Sequence, residues 1–318
     1  MRRMKLASRI MVQDHTMSIS RRENSVLSDR RDSEEPGLEN ARELDTRIEP
    51  RATVIVNADD WGRDVATSDR TLDCMLHGAI SSVSAMVFME DSERGADLAR
   101  QYGIGTGLHL NFTLRYSARN CPRGLMDRQE LIRRFLTSSR LAPIFYHRRL
   151  VTSFDYVVKA QLEEYERLYG TKVNRVDGHH HMHLCRNVIV QELIPACAIV
   201  RRNLSFRNGE KGYFNRLYRR RQDQRLARRH PMTDFFFDLQ PMAPIERLKE
   251  ICLLARQFNV EIETHPIRDS EYAFLMRGGL AGCAEQVAVA RDYMLRSHGP
   301  GNGAENPAVH QQEWRISR

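Results

Sequence analysis

The 318-residue sequence contains no uninterrupted apolar run of about 18 residues, the length a membrane-crossing helix requires. Cysteine is sparse. Cys74, Cys121, Cys185, Cys197, Cys252 and Cys283 are scattered and none forms a C-x-x-C pair, which argues against a zinc ribbon or a disulfide-stapled fold. They read as reduced thiols, most of them buried. Neither G-x-G-x-x-G nor G-x-x-x-x-G-K-S/T is present, so nothing marks a nucleotide-binding phosphate loop. Proline occupies only 11 positions and apolar residues make up 41%, which fits a globular chain. The opening MRRMKLASRIMV lacks an apolar core followed by a small-residue cleavage site. The acidic residues Asp14, Glu23, Asp29, Asp32, Glu34 and Glu35 argue against an organelle transit peptide. A cytoplasmic protein is therefore expected.

The excess charge is positive, +8 overall, and much of it is local. Residues 201–229, RRNLSFRNGEKGYFNRLYRRRQDQRLARR, interleave arginines with aromatics. That pattern suits nucleic acid or an anionic substrate. The preferred reading is a solvated, partly helical insertion over 201–234, because charge runs are usually solvated, and nucleic acid is an unlikely partner.

Residues 1–50 are rich in Arg, Ser, Glu and Asp without apolar periodicity, and are expected to be a disordered extension. Order is expected over 51–297, with a flexible tail over 298–318. The run ATVIVNADD reads as a buried parallel strand ending in carboxylates. Helical and strand patterns then alternate. SDRTLDCMLHGA is an amphipathic helix with Leu72, Met75 and Leu76 on one side, and SSVSAMVFM is a strand. SERGADLARQY is a helix and TGLHLNF a strand. DYVVKAQLEEYERLYG is a helix with a terminal glycine stop. NRVDGHHHMHL is a strand running into histidines, and VIVQELIPACAIV a helix. IERLKEICLLARQFN is a helix, VEIETHP a strand and GCAEQVAVARDYML a closing helix. Alternation of this kind implies parallel strands with right-handed crossovers. The expected fold is a single barrel-like α/β domain, with an open doubly wound sheet as the alternative.

Chemistry clusters at predicted strand ends: Asp59 and Asp60, His109 and Asn111, Asp177 with the histidines after it, and His265. Carboxyl ends of barrel strands converge on one face, where such folds build active sites. An Asp pair alone is more often a helix cap. At a strand terminus, however, the chain can turn and bring both carboxylates to one site. On an extended chain His179, His181 and His183 would share a face with Asp177, and His180 would point away. Imidazole with carboxylate suits Zn²⁺, and Mg²⁺ or Mn²⁺ where water completes the shell.

In order, VNADDWG, GLHLNFT, VDGHHHMHL and ETHP resemble the YdjC-like family of carbohydrate deacetylases, over about 53–295. The resemblance implies a barrel-like α/β fold and a divalent metal, Mg²⁺ or Zn²⁺, held by Asp60, His109 and His179. It also implies Asp59 as the general base and His265 as an acid or stabiliser. Trp61, Asn111, His181 and His183 are then expected around the substrate, with Trp61 stacking on a sugar ring. Two positions depart from the family pattern: Trp61 stands in place of Phe, and Gly178 in place of Ser. The expected activity is hydrolysis of N-acetyl groups from amino sugars, with a homodimer as the assembly considered. A metal-dependent phosphoesterase built on the same centre is the alternative.

Overall fold

The β-branched run at the start of the ordered chain becomes the central strand, β1 (Ala52–Trp61). The computed structural model describes residues 52–296 apart from 207–209, 211, 281 and 284–286. The extension over 1–50 and the tail over 298–318 lie outside the described residues. Seven further strands follow: β2 (Ser82–Ala85), β3 (Thr106–Leu110), β4 (Arg175–Gly178), β5 (Ile199–Val200), β6 (Phe235–Asp238), β7 (Val260–Thr264) and β8 (Val287–Val289). The helices are α1 (Val65–Leu76), α2 (Ser92–Tyr102), α3 (Arg123–Leu136), α4 (Val151–Tyr169), α5 (Arg186–Gln191), α6 (Tyr213–Leu226), α7 (Ile245–Leu254) and α8 (Asp269–Met276).

Every recorded strand pair is parallel, in the order β5-β4-β3-β2-β1-β7-β6, with β8 added to β1. The sheet curls into a half-barrel flanked by helices, so the α/β barrel-like expectation holds. No ladder joins β5 to β6 among the described residues.

Register assigns the two faces of the sheet. Asn57 lies beside Ser82 and Glu263, and His109 beside Asp177, whereas Val56 lies beside Ile262 and Leu108 beside Val176. One face therefore carries Val54, Val56, Ala58, Val83, Leu108, Val176 and Ile262, all in the main apolar core. The opposite face carries Asn57, Asp59, Ser82, Ser84, His109, Arg175, Asp177, Glu261 and Glu263, all polar and all buried. Gly107 belongs to that second face for a steric reason. A Cβ there would meet the Arg175 guanidinium carbon at 2.7 Å, so only glycine leaves room for the arginine.

Three local expectations are corrected. The segment expected as a closing helix supplies strand β8, whose Val-Ala-Val run pairs with Ala52–Val54 of β1. VIVQELIPACAIV is not one helix: α5 ends at Gln191 and Ile199–Val200 is a strand. Pro195 lacks the N–H an intervening helix would need. In α1 the buried residues are Thr67, Ser68, Thr71 and Cys74, while Leu76 is exposed. Asp64 caps that helix, accepting from the Thr67 backbone N–H at 2.8 Å.

Candidate metal centre

The end of β1 departs from strand geometry where the chemistry begins. Asp60 has φ of +66°, and the register with β2 shifts between Ala58 and Trp61. Regular alternation would send Asp59 and Asp60 to opposite faces. The left-handed residue turns the chain, so both carboxylates approach His109: Asp60 Oδ1 lies 3.4 Å and Asp59 Oδ2 4.0 Å from His109 Nε2. His179, just beyond β4, places Nδ1 2.9 Å from Asp60 Oδ1. Asp60, His109 and His179 each present one donor atom, all within 4.8 Å of one another.

A carboxylate with two imidazoles in such a cluster fits a divalent cation. The far side of His109 supports the same reading. Its Nδ1 lies 2.7 Å from Asp177 Oδ1, which leaves Nε2 directed at Asp60. Such a carboxylate behind a ligating histidine fixes both the ring and the tautomer. Asp177 is itself held by Ser84 Oγ at 2.5 Å and by Arg201 and Arg175 at 3.2 and 3.4 Å.

Electrostatics points the same way. Burial alone would lower the His109 pKa, but Asp59, Asp177 and Asp60 outweigh it and push it up to about 10. Burial would raise Asp60, yet the hydrogen bonds and charges of His109 and His179 hold it well below the usual carboxylate range. Asp59, Asp60, Asp177, Glu261 and Glu263 face only Arg175 and Arg201 as deeply buried permanent cations. A bound cation would offset that carboxylate excess.

Arg201 is the functional residue that sequence reasoning missed. It opens the stretch expected to be a solvated insertion, but it is 1% exposed and projects into the half-barrel. Its two terminal nitrogens meet both Asp59 oxygens at 2.7 and 2.8 Å, and its Nε meets Glu261 at 2.8 Å. Glu263 lies 3.3 Å away, and Phe236 stacks under the guanidinium at 4.9 Å. Burial would raise the Asp59 pKa, but Arg201 and then His109 outweigh it and keep the carboxyl ionised. Arg202 is also buried, against Asp223 of α6. Further along the stretch, Tyr213–Leu226 form helix α6, largely exposed on one side.

The histidine run does not share one face. His180 and His181 have φ of +55° and +58°, within a tight turn over His179–Leu184. His180 contacts Thr113 Oγ1 at 3.1 Å, and His181 sits 3.4 Å from Glu263. His183 turns inward to the Arg201 carbonyl, and burial drops its pKa to about 3. Gly178 is tightly enclosed. A Cβ there would lie 3.0 Å from the His183 N and the Leu110 O, so a side chain at this position needs the neighbours to give way.

Two expected substrate residues are structural here. Trp61 is fully buried and donates its indole N–H to the Gly95 carbonyl at 3.0 Å, so no ring face is open to a sugar. Asn111 is also fully buried. Its Oδ1 accepts from the Thr113 and Leu114 backbones and its Nδ2 donates to the Leu114 carbonyl, which makes it the pin of the turn after β3. His265 follows β7, with its backbone N–H on Glu271 and a buried Nδ1 that has no hydrogen-bond partner among the described residues.

A parallel half-barrel with an Asp-His-His cluster at the carboxyl ends of its strands defines an α/β protein with a candidate divalent-metal centre. The sequence profile of the YdjC-like protein family matches residues 53–294, and the chain belongs to that family. It is 30% identical over 148 residues to a carbohydrate deacetylase of Mus musculus, covering 44% of this chain and 45% of that protein. It is 26% identical over 137 residues to a chitooligosaccharide deacetylase of Proteus mirabilis (strain HI4320), covering 42% and 51%. A carbohydrate deacetylase of Vibrio cholerae serotype O1 (strain M66-2) is 27% identical over 221 residues, covering 67% and 77%. The chain thus spans about half the length of the mouse and Proteus relatives it matches. A solved structure from Enterococcus faecalis V583 shares the fold, with a TM-score of 0.52, 16% identity, and coverage of 76% of this chain and 97% of that one.

Proposed function

We propose that this chain is a metal-dependent carbohydrate deacetylase that hydrolyses N-acetyl groups on amino sugars. The observation that carries the reading is the Asp60, His109 and His179 donor set, oriented from behind by Asp177, in a chain whose relatives include carbohydrate deacetylases. Those three residues would hold the ion, Mg²⁺ or Zn²⁺. When bound, such an ion acidifies water and polarises an acyl oxygen. Asp59 takes the proton of the attacking water. The two-point contact with Arg201 fixes the direction of both Asp59 oxygens, gaining orientation at some loss of basicity. His265 returns a proton to the departing amine, and its buried Nδ1, without a hydrogen-bond partner among the described residues, supports a role beyond packing. Short soluble or lipid-linked glycans are the favoured substrates, in the cytoplasm.

The test follows acetate and phosphate release together. Metal-loaded protein is given N-acetylglucosamine oligomers, lipid-linked amino sugars and simple phosphate esters. Acetate release that chelation abolishes is the expected result. Phosphate release without acetate would overturn the proposal in favour of a phosphoesterase.

A further inference from the structure

The arginine-rich stretch contributes more than Arg201. Where the second half of α6 runs beside α5, a cleft of about 480 Å³ opens on the surface. Arg221, Arg225 and Arg228 line it, and Val188, Ile189 and Leu226 supply apolar wall. None of these residues belongs to the metal centre. Arg221 and Arg225 are one helical turn apart on α6, so their charges repel. No carboxylate is paired with Arg221, Arg225 or Arg228 among the described residues. The acid on the rim, Glu192, is already engaged by Arg229. The acid within α6, Asp223, is turned away and buried against Arg202 and Asn203.

We propose that this cleft binds a small molecule carrying an oligophosphate group. Three unpaired guanidiniums converging on one cavity match several phosphoryl oxygens, because each planar fork can grip an oxyanion at two points. A single phosphate would leave at least one arginine uncompensated. The volume lies within the range of small-ligand sites. The apolar wall gives the non-phosphate part of a ligand, such as the ring of a nucleoside, a surface that a purely solvated charge run would not offer. Nucleoside triphosphates and inorganic tripolyphosphate share this chemistry.

The test is calorimetric titration of the metal-stripped full chain with inorganic tripolyphosphate and, separately, with ATP. Parallel arms use monophosphate, a short single-stranded RNA and vesicles of mixed neutral and anionic phospholipid. The expected result is saturable 1:1 binding of both oligophosphates, much weaker binding of monophosphate, and loss of affinity as salt rises. Tighter binding of ATP would assign the apolar wall to the nucleoside, and equal binding would assign recognition to the phosphates alone. Arg221→Ala/Arg225→Ala/Arg228→Ala should weaken binding on the order of tenfold or more, and Arg225→Glu alone should weaken it measurably. All three are exposed surface positions, so both variants should keep the wild-type melting temperature. Asp60→Ala should bind as wild type does, which separates the cleft from the metal centre. Binding that survives the arginine substitutions, or that is lost in Asp60→Ala, would overturn the proposal. Saturation by RNA or vesicles alone would overturn it as well, in favour of surface docking.

Discussion

The two faces of the sheet obey the same alternation and have opposite chemistry. Outward, Val54, Val56, Leu108, Val176 and Ile262 pack in the core, where stability comes from area removed from water. Inward, Asp59, His109, Arg175, Asp177, Glu261 and Glu263 are just as inaccessible to solvent, and each depends on named partners. An outward residue can be trimmed at graded cost. An inward one is part of a network in which removing a single charge strands the others. The comparison teaches that the polar face is a scaffold for aiming His109 and Asp59, and that its stability and its chemistry reside in the same groups.

Arg201→Met should break the inward face most severely. It touches Asp59, Asp177, Glu261 and Glu263, and removing one partner of a buried charge network costs about 3–5 kcal/mol. Urea denaturation would show that loss, and wild-type stability would mean that the network is not what holds the face together. Asp59→Asn acts on chemistry instead. Turnover should fall on the order of 100-fold or more while metal content is retained, as expected for a lost base. Unchanged acetate release would remove Asp59 from that role. Asp177→Asn sharpens the comparison further, since Asp177 touches no proposed substrate but holds His109 on one oxygen and Ser84, Arg175 and Arg201 on the other. Metal affinity should fall about 10–100-fold, as for other carboxylates behind a ligating histidine. Competition with a chromogenic chelator would measure it. The smallest effect belongs to the outward face. Ile262→Val should cost about 0.5–1.5 kcal/mol in stability and leave turnover and metal affinity alone, although Glu261 and Glu263 flank it. A large change in turnover would show that the two faces are not independent.

Much of the site was legible in the sequence because its residues fall at strand ends. VNADD, GLHL and VDGH each carry a short apolar run into a chemical group, and Asp59, Asp60, His109 and His179 do come together in the structure. The inward network was less legible. VEIET and NRVDG alternate as a half-solvated strand would, and a charge at every second position looks like a water-facing edge. In a parallel sheet with helices outside, however, the alternate face has no water to meet. Glu261, Glu263 and Arg175 therefore had to point into the half-barrel, and that topological argument could have found them. Arg201 was hidden differently: it opens a run of arginines whose later members are exposed, and only its position immediately after β5 distinguishes it. The histidine run failed for a local reason. A shared face requires an extended chain, whereas two consecutive residues adopt left-handed backbone angles and scatter the side chains.

The central claim is that Asp60, His109 and His179 hold a divalent ion at the mouth of the inward face. It is tested most directly by titrating metal-stripped protein with Zn²⁺ and Mg²⁺ in wild type, His109→Ala and His180→Ala. His180 lies beside His179, with ring centroids 4.0 Å apart, yet it contacts Thr113 and not Asp60. The account predicts one tight ion per chain in wild type and His180→Ala, and none in His109→Ala. Retention of that ion by His109→Ala, or its loss from His180→Ala, would contradict the assignment.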